Sequence, residues 1–297
     1  MLWPTFPESG KREQMQPTFV LVHGAFANSF SFAPLQAELG LLGHRSVAVD
    51  LPGHGFAATY PRAYQTPQDL EELATTPGSI KGVTLADNAA HLIGILERAK
   101  RNGPVILVSH SRGGVTATAA ANARPELIDR IVYVSAWCPV DLDVNDYYAE
   151  PEMATVDAAS LAPALAGDPA ALGLLRVNFR TADPAALAAL RAAFLADGTD
   201  DEFLAFLNTF QPDESLDAGT SADRAQAETW GRIPKTFVRL ADDASLPLAL
   251  QDRLIREGDA LTPDNPYDVR TLASSHLKWL IDPAPAARLL GELAALH

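Results

Sequence analysis

The chain has 297 residues, 47% of them hydrophobic and 20% charged, enough apolar residue for one large α/β domain with an insertion or for two modest domains. A formal net charge of −14 argues against nucleic acid or an anionic membrane surface as partner, because a polyanion is repelled. The single cysteine, Cys138, excludes an intrachain disulfide and a cysteine-based metal cluster; it fits a reducing, cytoplasmic setting and reads as a small buried hydrophobe.

Residues 1–17, MLWPTFPESGKREQMQP, lack the apolar core of a signal peptide and read as a loose leader. No run approaches the roughly 18 to 20 apolar residues that a membrane span needs. TFVLVHG, residues 18–24, is a short apolar run ended by glycine, the pattern of a strand buried on both faces. SFAPLQAELGLLG then predicts a helix, with Leu35, Leu39 and Leu42 near helical spacing, and SVAVD predicts a second strand followed by the loop LPGHG. Residues 85–101 carry Leu92, Ile95 and Leu96 on one helical stripe before NGP breaks the pattern. VILVS, IDRIVYVSAW and KTFVRL supply further strands, so strand and helix alternate as in a parallel sheet covered by helices.

Between residues 140 and 231 the chain turns alanine-rich and the apolar strands vanish, which predicts a mainly helical insertion inside one α/β core formed by residues 18–139 and 232–297. Within it, ADPAALAALRAAFLADG has Asp183 as N-cap, Pro184 at the first helical position, and Leu187, Leu190 and Phe194 on one face. The similar DPAALGLLRVNF from Asp168 shares the same helix-start grammar, and RVNFR there also reads as a short strand. Tyr147, Tyr148, Phe203, Phe206 and Phe210 are candidates to face a substrate, although the helical spacing of the three phenylalanines more often marks packing.

ILVSHSRGGV, residues 106–115, leaves a buried strand for a helix at once, which requires small neighbours two residues either side of the pivot. Ser109 and Gly113 satisfy this for Ser111; a turn centred on Ser109 would put Leu107 at a tight position. Such a turn lifts the Ser111 hydroxyl to a helix N-terminus, where free backbone N–H groups favour negative charge. An acid after a later strand, Asp242 or Asp243, and His276 in SSHLKWL complete the chain order nucleophile, acid, base.

At these residues the chain resembles the α/β-hydrolase superfamily, and within it the methylesterase and hydroxynitrile lyase group with its bacterial esterase relatives. FVLVHGA, VDLPGHG, VSHSRGG, the acid loop and the histidine loop carry the resemblance. It implies an α/β-hydrolase fold, mostly parallel sheet flanked by helices with a helical cap, acting on a small-molecule carboxylic ester through an acyl-enzyme. It places the acid four residues before Pro247, at Asp243, with Asp242 and Asp141 as rivals. It assigns oxyanion donors to the backbone N–H groups of Ala25 and Arg112, and has His23 and His54 shape the site floor. His110 is expected to point away from the nucleophile's face.

Gly24, Phe26, Trp137 and Leu277 are candidate pocket residues. In the resemblance, hydroxynitrile lyases carry threonine directly after the first-strand histidine and lysine directly after the catalytic histidine. This chain has Gly24 and Leu277 there, with Lys278 one residue later, which favours an esterase over a lyase, a C–C bond-cleaving enzyme or a non-catalytic receptor. No His and acid pair shows a ligand spacing such as H-E-x-x-H, and the first loop lacks G-x-G-x-x-G, so no metal and no cofactor is expected. The insertion is the candidate surface for a homodimer.

Overall fold

The computed structural model describes residues 15–296; residues 1–14 of the expected leader lie outside them. Six parallel strands form one sheet: β1 (Thr18–Val22), β2 (Arg45–Val49), β3 (Val105–Ser111), β4 (Arg130–Ala136), β7 (Lys235–Leu240) and β8 (Asp268–Leu272). Their spatial order is β2-β1-β3-β4-β7-β8. A separate antiparallel ribbon pairs β5 (Leu175–Arg176) with β6 (Asp213–Glu214).

Alternation along the central strands feeds two cores, one on each face. Val20, Val22, Leu107, Ile131, Tyr133 and Phe237 pack on one side. Phe19, Leu21, Ile106, Val108, Val132 and Val238 pack on the other. Each such side chain contributes about 1.5 to 3 kcal/mol by leaving water, which is why these strands read as unbroken apolar runs. The edge strands have one flank in solvent: Val47 of β2 and Val269 of β8 are exposed.

The helix Leu85–Lys100 starts in a capping box, Thr84 and Asp87 each satisfying the other's backbone N–H, and buries Leu92 and Leu96. Helix Gly113–Ala123 follows β3 without a linker beyond Arg112, and its glycines are sites of close approach. A Cβ on Gly113 would lie 2.4 Å from the His23 carbonyl oxygen, and one on Gly114 would lie 2.2 Å from that of Trp137. The elbow is therefore wedged between the ends of β1 and β4.

Residues 137–234 add no strand to the large sheet. The α-helices longer than one turn in this stretch are Pro184–Phe194 and Asp200–Leu207; a seven-residue 3-10 helix spans Ala158–Ala164, and the remainder is shorter helices, turns and the β5–β6 ribbon. Pro151, Pro169 and Pro184 stand at the start of their helices, where the missing N–H has no intrahelical partner to lose, and Pro163 falls inside the 3-10 helix. Asp168 and Asp183 both act as N-caps, accepting from the N–H groups of Ala170 and Ala186.

The glycine packing gives a paired prediction. Gly114→Ala drives a methyl into a backbone carbonyl and should cost more than about 2 kcal/mol in urea unfolding. Gly94→Ala, mid-helix with nothing within 4 Å of the new Cβ, should instead gain about 0.5 to 1 kcal/mol. Equal midpoints for the two variants would contradict this packing.

Candidate active site

Ser111 closes β3 with φ of 51°, a left-handed conformation unusual for a side chain larger than glycine's. Two features hold it there. The β3–β4 register shifts between His110 and Ser111, so that Ser135 (φ 36°) is bulged out, and Trp137 N–H donates to the Ser111 carbonyl at 3.0 Å. From the other side the loop after β1 presses close: a Cβ on Gly24 would meet Ser111 Cβ at 2.8 Å and Oγ at 3.3 Å. Ser109, at the small position before the pivot, is fully buried.

His276 and Asp243 lie in loops at the same edge of the sheet, after β8 and β7. His276 Nδ1 donates to Asp243 Oδ2 at 2.6 Å, and both groups are buried. The carboxylate is saturated: Oδ2 also accepts from Ser135 Oγ at 2.6 Å, and Oδ1 accepts from Ser245 N–H and Leu246 N–H at 2.8 and 2.9 Å. Asp242 is exposed and Asp141 lies on the surface, so Asp243 is the acid that meets the imidazole. Holding Nδ1 as donor leaves Nε2 as the ring's acceptor. Among the described residues no hydrogen bond joins Ser111 Oγ to His276, although both line one cavity. Such bonds are often long in empty sites and tighten with substrate.

His110 differs from its expected orientation. It lines the cavity, its ring lies 4.5 Å from that of His276, and its Nε2 donates to the His276 carbonyl at 3.1 Å. Burial first, then the neighbouring His276, push its pKa well below the ordinary value, so it stands as a neutral prop for the histidine loop. Strand alternation places it with Ile106 and Val108 on the face where Leu277 and Trp279 of the histidine loop pack.

His23 and His54 lie beneath the loop after β1, with ring centroids 4.6 Å apart. His23 Nδ1 donates to the Gly24 carbonyl at 2.8 Å and Nε2 accepts from Leu51 N–H, a pattern that requires the neutral ring. Burial, then His54, lowers its pKa to about 3. His54 Nε2 faces Glu214 Oε2 at 3.3 Å and Nδ1 faces the Pro52 carbonyl at 3.1 Å.

These residues open on a cavity of about 460 Å³. Gly24, Ala25, Phe26, Arg112, Trp137 and Leu277 all line it. The insertion supplies a wall of Ala189, Ala192 and Ala193 with Phe206, Phe210 and Tyr148, whereas Phe203 and Tyr147 pack in the cores. The Ala25 and Arg112 backbone N–H groups have no hydrogen-bond partner among the described residues. Arg112 is the lysine or arginine on the described lining, and its guanidinium is engaged by the Ser215 and Asp217 carbonyls. Lys278 does not line the cavity; it pairs with Glu202 at 2.6 Å. Cys138 is buried in the core. Among the described residues no group of three or more His, Cys, Asp or Glu could hold a metal ion, and no helix is long and apolar enough to cross a membrane.

Two members of the site had no sequence signal. Glu214 sits in QPDES, which reads as a polar loop, and Ser135 is one small residue in a strand.

A family model described as "Alpha/beta hydrolase family" matches residues 19–291. The chain belongs to that family. This α/β-hydrolase is similar to Methylesterase 7 of Arabidopsis thaliana, 33% identical over 125 residues, covering 42% of this chain and 41% of the relative. It is also 30% identical over 132 residues to Salicylic acid-binding protein 2 of Nicotiana tabacum, covering 44% of each. These matches thus span less than half of those relatives' length. A longer match, 24% identical, covers 94% of the chain and 72% of putative methylesterase 14, chloroplastic, of Arabidopsis thaliana. Among solved structures, polyneuridine aldehyde esterase superposes with a TM-score of 0.67 at 20% identity, covering 94% of this chain and 99% of that one. A pyrethroid hydrolase from Sphingobium faniae JZ-2 gives 0.66 at 21%, covering 94% and 97%. At these identities the likeness is one of fold.

The histidine floor predicts an acid limb of stability. His23 has a folded pKa of about 3 against about 6.5 unfolded, so the unfolded chain binds the extra proton between those values. Stability from the neutral ring is full above pH 6.5 and erodes as pH falls toward 3, and His110 adds in the same direction. Between pH 7.5 and 5 the wild type should lose about 2 kcal/mol through His23. His23→Asn, which keeps a donor toward Gly24, should lose that much less over the same interval in urea titrations. Parallel pH profiles for the two proteins would refute the assignment.

Proposed function

We propose that this α/β-hydrolase is a serine esterase that cleaves a neutral, largely apolar small-molecule carboxylic ester through an acyl-enzyme. The observation that carries the reading is the left-handed Ser111 opening on the same cavity as a buried His276–Asp243 pair bonded at 2.6 Å.

Ser111 Oγ attacks the ester carbonyl carbon while His276 Nε2 takes its proton. Asp243 keeps Nδ1 protonated and stabilises the imidazolium that forms. The carbonyl oxygen becomes an oxyanion, which the unpartnered N–H groups of Ala25 and Arg112 are available to accept; one such donor is worth about 2.7 to 4 kcal/mol. As the tetrahedral adduct collapses, His276 returns the proton to the departing alcohol. Water, deprotonated by the same nitrogen, then releases the acid.

Neutrality of the substrate follows from the lining. Asp157 and Glu214 are there, Arg112 is already engaged, and the chain carries −14, so a second carboxylate on the substrate would find no free cation. The lyase reading has less support: a side chain at Gly24 would collide with Ser111, and Lys278 is committed to Glu202 away from the cavity. The lone buried thiol supports a reducing, cytoplasmic location.

A fluorophosphonate probe with peptide mass spectrometry should give one adduct, on Ser111, absent in Ser111→Ala. Asp243→Asn should lower turnover of a 4-nitrophenyl ester by about 10⁴, because the imidazole then adopts the wrong tautomer. Exposed Asp242→Asn should change it less than twofold. Cyanide release from mandelonitrile without ester turnover would favour the lyase, and ligand binding without probe labelling would favour a receptor.

A further inference from the structure

Glu214 is a carboxylate enclosed at the cavity wall, with a side chain only 6% exposed. Burial raises its pKa, but the His54 hydrogen bond and charge, Arg112 and a backbone N–H outweigh that and bring it down to about 2. A buried charge held this firmly needs anchored partners.

The partners are specific. Oε2 accepts from Phe26 N–H at 2.9 Å and from His54, Oε1 accepts from Ser215 N–H at 2.8 Å, and Arg112 Nε lies 3.7 Å from Oε1. Phe26 has φ of 59°, so the loop after β1 is strained one residue beyond Ala25. Its carbonyl accepts from Gln211 N–H at 2.9 Å, which means the insertion holds Phe26 through both its N–H and its C=O. The same stretch of insertion binds the Arg112 guanidinium through the Ser215 and Asp217 carbonyls.

The clamp is itself braced. Asp213, next to Glu214, makes a two-pronged pair with buried Arg176 at 2.5 and 2.7 Å, and Arg176 also donates to the Leu73 and Thr76 carbonyls.

We propose that Glu214 is a positioning residue for the oxyanion hole, fixing from the insertion the two core segments that present the Ala25 and Arg112 N–H groups. This rests on the esterase reading above. An uncompensated carboxylate here would oppose a developing oxyanion; His54 and Arg112 offset its charge, leaving its geometry as its contribution.

The test compares Glu214→Ala and Glu214→Gln with wild type, using a 4-nitrophenyl ester for kinetics. It adds two inhibitors with the same carbon skeleton: a trifluoromethyl ketone, which becomes an oxyanion adduct on the serine, and the corresponding methyl ketone, which stays largely a neutral ligand. Glu214→Ala should lower kcat on the order of 10²-fold with KM within about threefold, and weaken the trifluoromethyl ketone by a similar factor while the methyl ketone is unchanged. Glu214→Gln, which keeps an acceptor for Phe26 N–H, should recover most of the loss. Wild-type kcat in folded Glu214→Gln and Glu214→Ala, or equal weakening of both ketones, would overturn the proposal. If Glu214→Ala does not fold, Glu214→Asp, whose shorter side chain withdraws the acceptor from Phe26 N–H, takes its place with the same expected split between the two ketones, and wild-type kcat or equal weakening of both ketones in Glu214→Asp overturns the proposal. Absence of a Ser111 adduct in wild type would instead overturn the esterase reading.

Discussion

The architecture depends on a backbone conformation that a serine does not adopt unaided. Ser111 at φ 51° costs on the order of 1 to 3 kcal/mol, and the cost is met by contacts that leave it no alternative. Gly24 brings the loop after β1 against Ser111, Gly113 admits the His23 carbonyl, and Gly114 admits that of Trp137. Three glycines at van der Waals limits therefore set the position of one hydroxyl. Strand order does the rest: β1, β3 and β4 are neighbours at the middle of the sheet, so the loops that grip the elbow start from its most rigid strands.

Charge is handled at the site by saturation. The chain is strongly acidic, yet the two carboxylates buried beside the cavity are held at both oxygens: Asp243 by His276, Ser135 and two backbone N–H groups, Glu214 by Phe26, Ser215 and His54. A carboxylate bonded at both oxygens cannot wander, so it can hold a ring or a peptide plane. Arg112 is engaged in the same way. What remains available on the wall is chiefly apolar, which makes shape the main determinant of what enters.

How much of this was legible depended on whether a residue's neighbours in sequence were also its neighbours in space. The central strands were readable because burial on both faces imposes an apolar run, and the elbow because Ser109, Gly113 and Gly114 meet a local steric demand. The edge strand β8, DVRTL, carries polar and charged residues on solvent-facing positions and gave no comparable run. The insertion is built of short helices, several opening at a proline, whose lengths its alanine content does not encode. His110 was misjudged because what lies on its face of β3, the loop carrying His276, comes from 166 residues away in the chain. Glu214 was invisible for a like reason: the group it holds, Phe26 N–H, is 188 residues away.

The insertion does two kinds of work, and it divides them between separate segments. Helices Pro184–Phe194 and Asp200–Leu207 carry Ala189, Ala192, Ala193 and Phe206, whose side chains shape the cavity wall. Residues 211–217 contribute hydrogen bonds to Phe26 and Arg112 and are braced through Asp213 and Arg176. Wall side chains on these helices can change size without touching the clamp, because the clamp acts through a carboxylate and main-chain groups rather than through packing against them. Cavity shape and the placement of the Ala25 and Arg112 N–H groups are thereby carried by different atoms of one insertion, so in the proposed esterase a change of specificity need not disturb the machinery that every substrate would share.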